Sequence, residues 1–268
     1  MPTSRGFDAL TVIALADGEG PFFEPREAAF PDATADQWAA ADEQDPGSVR
    51  DGGWWLRFRC FALRNASGEV TLIDTGIGGL HSPSRSWAPV PGTLPEELAA
   101  ARIAPADVTT VVLTHLHTDH IGWSIDAAGA VMFPNARYLL QATEVAAIEQ
   151  APRLAEWLLA PLRASGQLSP VDGDADLGGG VRIVATPGHT PGHQSVLLQR
   201  DDESLLVTGD LLVHVLQLID PGLRYGHEMD ADGARASRVA MLQRLAGLPS
   251  VVLCTSHLGE PFWPLTGA

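Results

Sequence analysis

Apolar positions fall in short blocks along the chain, and the spacing inside each block separates strands from helices. Residues 9–16 are a first apolar run closed by Asp17, of strand length and far too short for a membrane span. Residues 54–63 alternate bulky and polar side chains, and residues 69–73 come after the turn Asn65-Ala66-Ser67-Gly68, so the two read as a hairpin. Further short runs at 108–113, 136–141, 181–185, 194–199, 204–208 and 251–255 read as strands, the first of them buried on both faces. Helical spacing predicts helices over 34–43, capped by Thr34 or Asp36, and over 95–103, 143–150 and 153–163. A last helix is expected over 231–246, with Val239, Leu242, Leu245 and Ala246 near its apolar face.

Strands in two clusters, each mixed with helices, suit a layered α/β sandwich better than an all-β or doubly wound fold. No linker interrupts the chain, so residues 1–268 are expected to form one domain, with the Pro-, Asp- and Ala-rich stretch 18–53 as an N-terminal extension. The Gly-, Ser- and Pro-rich loop 76–92 is long for a compact domain and reads as a lid or a dimer contact, so a homodimer is one of the expectations.

Composition narrows the function classes. Apolar residues make up 45% and charged residues 19% of the chain, a globular balance. A formal net charge of −16 disfavours nucleic acid, whose phosphates need Lys and Arg to neutralise them. Cys60 and Cys254 read as buried free thiols, and two cysteines cannot build an all-thiolate metal site. The lack of an export signal, with low cysteine usage, points to the cytoplasm, and no run approaches a membrane span.

Chemistry concentrates in Thr114-His115-Leu116-His117-Thr118-Asp119-His120, three imidazoles and a carboxylate just past a buried strand. In extended backbone His115 and His117 point the same way, while Asp119 and His120 fall on the turn beyond, so the cluster can feed two adjacent metals. Nitrogen and oxygen ligands with an open position suit a catalytic metal, whereas structural zinc prefers four closed, usually cysteine-rich positions.

Further along the chain come His189 in Thr186-Pro187-Gly188-His189-Thr190-Pro191-Gly192-His193, Asp210 in Thr208-Gly209-Asp210 and His257 after a terminal strand; Leu72-Ile73-Asp74-Thr75-Gly76 precedes the run. In that order the motifs resemble the metallo-beta-lactamase superfamily from Val70 to Pro261. The resemblance implies a four-layer αββα sandwich and two divalent metal ions, zinc by default, with iron, manganese or cobalt also accepted by such ligands. It further implies that His115, His117 and His189 hold one metal, that Asp119, His120 and His257 hold the other, and that Asp210 bridges them. Asp74 would orient a ligand from behind, or else simply end its strand.

The activity so implied is hydrolysis of an ester or lactone of a small apolar substrate by a metal-bridging hydroxide, with Asp119 also handling a proton. Aryl phosphotriester and thioester hydrolysis are alternatives; an iron-dependent redox enzyme or a noncatalytic metal-binding protein is an alternative of another class. Residues 209–217 with Asp220-Pro221, and the ending Thr255-Ser256-His257-Leu258-Gly259-Glu260-Pro261, are similar to the branch containing methyl parathion hydrolase and lactone-hydrolysing enzymes. The quorum-signal lactonases it resembles have a tyrosine where this chain has Val213. His214, one place on, either offers an N–H to substrate as a catalytic group or packs in a helix. His193 is expected behind the ligands, and His81 and His227 as ordinary loop residues. Trp87 and Trp123 are pocket-wall candidates alongside Trp263, with core packing the default for Trp54 and Trp55.

Overall fold

The computed structural model describes residues 1–86 and 89–265, so Trp87 lies outside the described residues. It divides into two compact units, Met1–Gly18 with Phe58–Asp174 and Glu19–Arg57 with Ala175–Ala268. The α/β class is as expected, with two sheets and helices. No helix among the described residues is long and apolar enough to cross a membrane.

The first sheet runs in the order Ser4–Phe7, Leu10–Pro21, Gly53–Arg64, Val70–Ile73, Val108–Val112, Arg137–Gln141 and Leu168–Val171, with Val49–Arg50 paired to Gly53–Arg64. The hairpin read from the sequence is present, Phe61 facing Ile73 across an antiparallel register. From Val70–Ile73 onward the pairing is parallel. In the first unit the apolar faces of these strands close over Leu94, Leu98, Tyr138, Leu158 and Leu162. Cys60 is a buried free thiol, as expected, and burial pushes its pKa well up, which leaves it unreactive.

The second sheet lies wholly in the second unit, in the order Phe262–Leu265, Val251–Cys254, Ser204–Val207, Gln194–Gln199, Val181–Ala185, Ala175–Gly178. Ser204–Val207 and Val251–Cys254 pair in parallel, the other neighbours antiparallel. Helix Ala231–Ala246 covers part of it, Met241 and Leu245 packing with Leu197, Leu206 and Leu253. Within the extension, helix Ala35–Gln44 starts at Thr34, whose hydroxyl accepts from the Gln37 N–H while the Gln37 side chain accepts from the Thr34 N–H. That reciprocal pair selects Thr34 over Asp36 as the cap.

Two expectations need correction. Residues 153–163 are not one regular helix: Pro152–Leu154 and Ala160–Ala164 flank a π-helical turn, Ala155–Leu159. Pro161 has no N–H to give the Trp157 carbonyl one turn back, and the wider turn accommodates the defect. In helix Ala231–Ala246 the buried positions are Ala234, Arg238, Met241 and Leu245; of the predicted face Leu245 is buried as expected, Val239 and Leu242 are half-buried, and Ala246 is exposed. The stripe has rotated because it carries a fully buried guanidinium, whose polar groups are satisfied from the neighbouring loop. Arg238 donates to the carbonyls of Pro221 and Leu223 and pairs with Glu228 at 2.8 Å.

Candidate metal centre

Each unit carries candidate ligands beyond the C-terminal ends of two parallel strands, and His189 alone follows an antiparallel strand, Val181–Ala185. In the first unit these strands are Val70–Ile73 and Val108–Val112, which deliver Asp74 and the His115–His120 run to the same sheet edge. Asp74 has φ +61°, a left-handed turn that swings its carboxylate toward the neighbouring strand end. One oxygen accepts from the Thr114 N–H (2.7 Å); the other accepts from the Thr114 hydroxyl (2.8 Å) and from His120 Nδ1 (2.8 Å). Asp74 thus ends its strand and also grips an imidazole, that of His120.

Proton counting along this network fixes two tautomers. A carboxylate only accepts, so His120 carries its proton on Nδ1 and presents a lone pair at Nε2. The single Thr114 hydroxyl proton is committed to Asp74, so Thr114 Oγ1 accepts from His115 Nδ1 at 3.0 Å, and His115 also presents Nε2 as a lone pair. His115 Nε2 and His117 Nδ1 face each other at 3.1 Å, and the His115 and His120 ring centres are 4.1 Å apart. Asp119 Oδ2 lies 3.6 Å from His120 Nε2. Short helix Thr118–Ile121 carries Asp119 and His120, and its exit is held by the Thr75 N–H on the His120 carbonyl (2.7 Å). Gly122 is obligatory there: a Cβ would lie 2.3 Å from the Ile77 carbonyl carbon.

Two buried carboxylates brace this half from behind. Glu144 accepts from the Leu116 N–H at 2.6 Å. Asp17 accepts from the N–H groups of Ile77, Gly78 and Leu94 and from Trp123 Nε1 (2.9 Å). Burial raises the Asp17 pKa while those four donors pull it down. Trp123, expected as a pocket wall, is thus tethered by its indole N–H; it also meets the His81 ring edge-on.

In the second unit Ser204–Val207 and Val251–Cys254 deliver Asp210 and His257 to one edge. Asp210 offers one oxygen to each of two imidazoles, with Oδ2 3.1 Å from His189 Nε2 and Oδ1 3.0 Å from His257 Nε2. His257 Nδ1 donates to the Arg57 carbonyl at 2.7 Å, so its Nε2 is a lone pair aimed at a carboxylate oxygen. Two acceptors at that separation are unfavourable unless a cation or a proton lies between them, and the donor set therefore suits a metal ion. His193, as expected, stands behind: its Nδ1 faces Thr186, and its Nε2 accepts the Asp210 N–H at 2.9 Å. Gly188 brings the loop against the start of helix Ala231–Ala246, where a Cβ would sit 1.9 Å from the Ala234 nitrogen.

The remaining histidines separate cleanly. His214, a catalytic candidate from the sequence, is 2% exposed and is enclosed by the rings of Phe30, Trp38 and Trp54 at centroid distances of 5.6, 5.4 and 5.1 Å. Its Nδ1 accepts from the Leu216 N–H, and burial lowers its pKa to about 3. Of its two readings, packing is the one this geometry supports. His81 bonds the Ile125 carbonyl and His227 bonds Glu24. Trp54 is buried in the same aromatic group, Trp55 lies under Arg50 at 3.8 Å, and Trp263 packs on the second core. Tyr225 was not singled out by sequence, yet its ring stacks on His189 with an interplanar angle of 6°. Glu144 and Asp17 were likewise missed, because nothing local marks a carboxylate whose partners lie tens of residues away.

A family model described as the metallo-beta-lactamase superfamily matches residues 59–257, well over half of the chain. The chain belongs to that superfamily. Among curated proteins it is 29% identical over 169 residues to an N-acyl homoserine lactonase from Bacillus sp, covering 58% of this chain and 62% of that protein. It is 30% identical over 175 residues to a probable metallo-hydrolase from Mycobacterium tuberculosis, covering 54% of each. The chain thus spans less than two thirds of these relatives' length. Among solved structures, the hydrolase AbOPH aligns with TM-score 0.78 at 22% identity over 98% of this chain and 96% of its own. AidC, a dizinc quorum-quenching lactonase in complex with a product, aligns with TM-score 0.77 at 21% identity over 100% and 97%.

Proposed function

We propose that the chain is a hydrolase working with two divalent metal ions, zinc first among those its ligands accept, on an ester or lactone of a small molecule. His115, His117 and His189 serve one ion, Asp119, His120 and His257 the other, and Asp210 both. The reading requires the two compact units to act as one catalytic domain, in keeping with a family match that runs across them.

The observation that carries the reading is the proton bookkeeping behind the ligands. Asp74, Thr114 and the Arg57 carbonyl each take an Nδ1 proton, which leaves three Nε2 lone pairs to coordinate, while one Asp210 carboxylate presents an oxygen to each of two imidazoles. The Bacillus relatives are named N-acyl homoserine lactonases, which favours a lactone among the esters. When bound, the ions polarise the carbonyl under attack and lower the pKa of water. The chain supplies the rest. His193 holds Asp210 by its N–H, Asp74 holds the His120 ring, and Asp119, with 10% of its side chain exposed, is the carboxylate that carries a proton to the leaving group.

The test is metal content by elemental analysis, paired with hydrolysis of a panel: a long-chain acyl lactone, an aryl ester, an aryl phosphotriester and an acyl thioester. The expected result is about two metals per chain, with lactone or ester turnover that disappears in Asp210→Ala together with metal. Bound metal with no turnover of any panel member would replace this reading with a redox or binding role.

A further inference from the structure

Within the first unit a concave cavity of about 400 Å³ lies beside the His117-Thr118-Asp119 run, with Thr118 itself in its wall. That volume is in the range of small-molecule sites, roughly 300–1,000 Å³. Arg85 and Arg153 line it together with His81, Leu154 and Trp157, and among the described residues no carboxylate does. Neither guanidinium forms an ion pair with another described residue. The arrangement stands out against the chain as a whole, where 33 acidic residues outnumber 17 basic ones, all of them arginine.

We propose that this cavity is a subsite for an anionic group of the substrate, a carboxylate remote from the bond that is cut. The proposal rests on the hydrolase reading for the bond that is broken. A net charge of −16 repels anions from most of the surface, so two guanidiniums without a described carboxylate partner in one concavity select for negative charge locally. Each guanidinium can clasp a carboxylate through two parallel N–H donors, with the Thr118 hydroxyl as a further donor. Leu154 and Trp157, both packed against the core of this unit, give the intervening methylenes an apolar wall. His81 is held by its Nε2 on the Ile125 carbonyl at 2.9 Å, which fixes that side of the cavity. Thr118, in the cavity wall, is covalently next to two proposed ligands, His117 and Asp119, which puts the cavity next to the proposed centre.

The experiment uses the metal-loaded protein and matched pairs of phenyl esters, the phenyl hydrogen esters of glutarate, adipate and suberate against their phenyl methyl counterparts. Within a pair only the remote charge differs. Wild type is expected to show a KM about tenfold lower for the acid member of at least one pair, and Arg85→Glu and Arg153→Glu are expected to erase that difference. Equal KM values across all pairs in wild type, or a preference that survives both charge reversals, overturns the subsite. If neither member of any pair is hydrolysed, the hydrolase reading fails by itself, and calorimetric binding of the same pairs decides the subsite. Tighter binding of the acid member that is lost on charge reversal supports it, and equal binding overturns it.

Discussion

Asp74 shows how much one carboxylate can settle. Its two oxygens take three protons, and through Thr114 and His120 they dictate which nitrogen of two separate imidazoles is left as a lone pair. Asp74→Ala is expected to weaken metal retention or turnover by about 10- to 100-fold, the range for residues that orient a ligand, as read by metal content after graded chelation. Asp74→Asn should also fail, because an amide NH2 would meet donors. His214 makes the opposite case. Kept neutral down to about pH 3, against an ordinary 6.5, it binds fewer protons folded than unfolded across that window. Its contribution to stability is therefore present above pH 6.5 and is lost as pH falls below it, by about 1.4 kcal/mol per unit. Urea midpoints at pH 7.5 and pH 5 should separate less in His214→Phe than in wild type.

Among the elements, the segment from Leu211 to Glu228, which holds only the short helix Leu216–Ile219, is tied down by helix Ala231–Ala246. Arg238 reaches from helix Ala231–Ala246 into three carbonyls and Glu228, and Glu228 in turn accepts the Tyr225 N–H, which sets the ring that stacks on His189. Both members of the pair are buried, so removing one leaves an uncompensated charge. Arg238→Met is expected to cost about 3–5 kcal/mol by thermal or urea unfolding. This element also marks where reading the sequence stops working: periodicity puts hydrophobes on the buried face, and nothing in the pattern says that an arginine belongs there. The edge strands teach the same lesson. Leu168–Val171 and Phe262–Leu265 each contain a proline, a residue that argues against a strand unless the strand lies at an edge, and both lie at an edge.

For the molecule as a whole, the central strands and the candidate ligands were legible because they depend on short-range signals. Alternating or β-branched runs mark the strands, and histidines and aspartates at fixed spacing mark the candidate ligands just past the strand ends. Partners separated by tens or hundreds of residues were not legible. Glu144 on Leu116, the Arg57 carbonyl on His257 and Tyr225 on His189 are set by topology, and no local pattern announces them. Asp17 gathers four such donors. It comes at the end of the first apolar run, yet three backbone N–H groups and one indole from residues 77 to 123 end on its two oxygens. Amides that share one buried acceptor open together, so Ile77, Gly78 and Leu94 should exchange with solvent deuterium as a single unit and lose protection together in Asp17→Asn. The readiness of the loops around the candidate ligands to breathe would then be set from a residue near the start of the chain, one that hydrogen-bonds to backbone and indole rather than to those candidates.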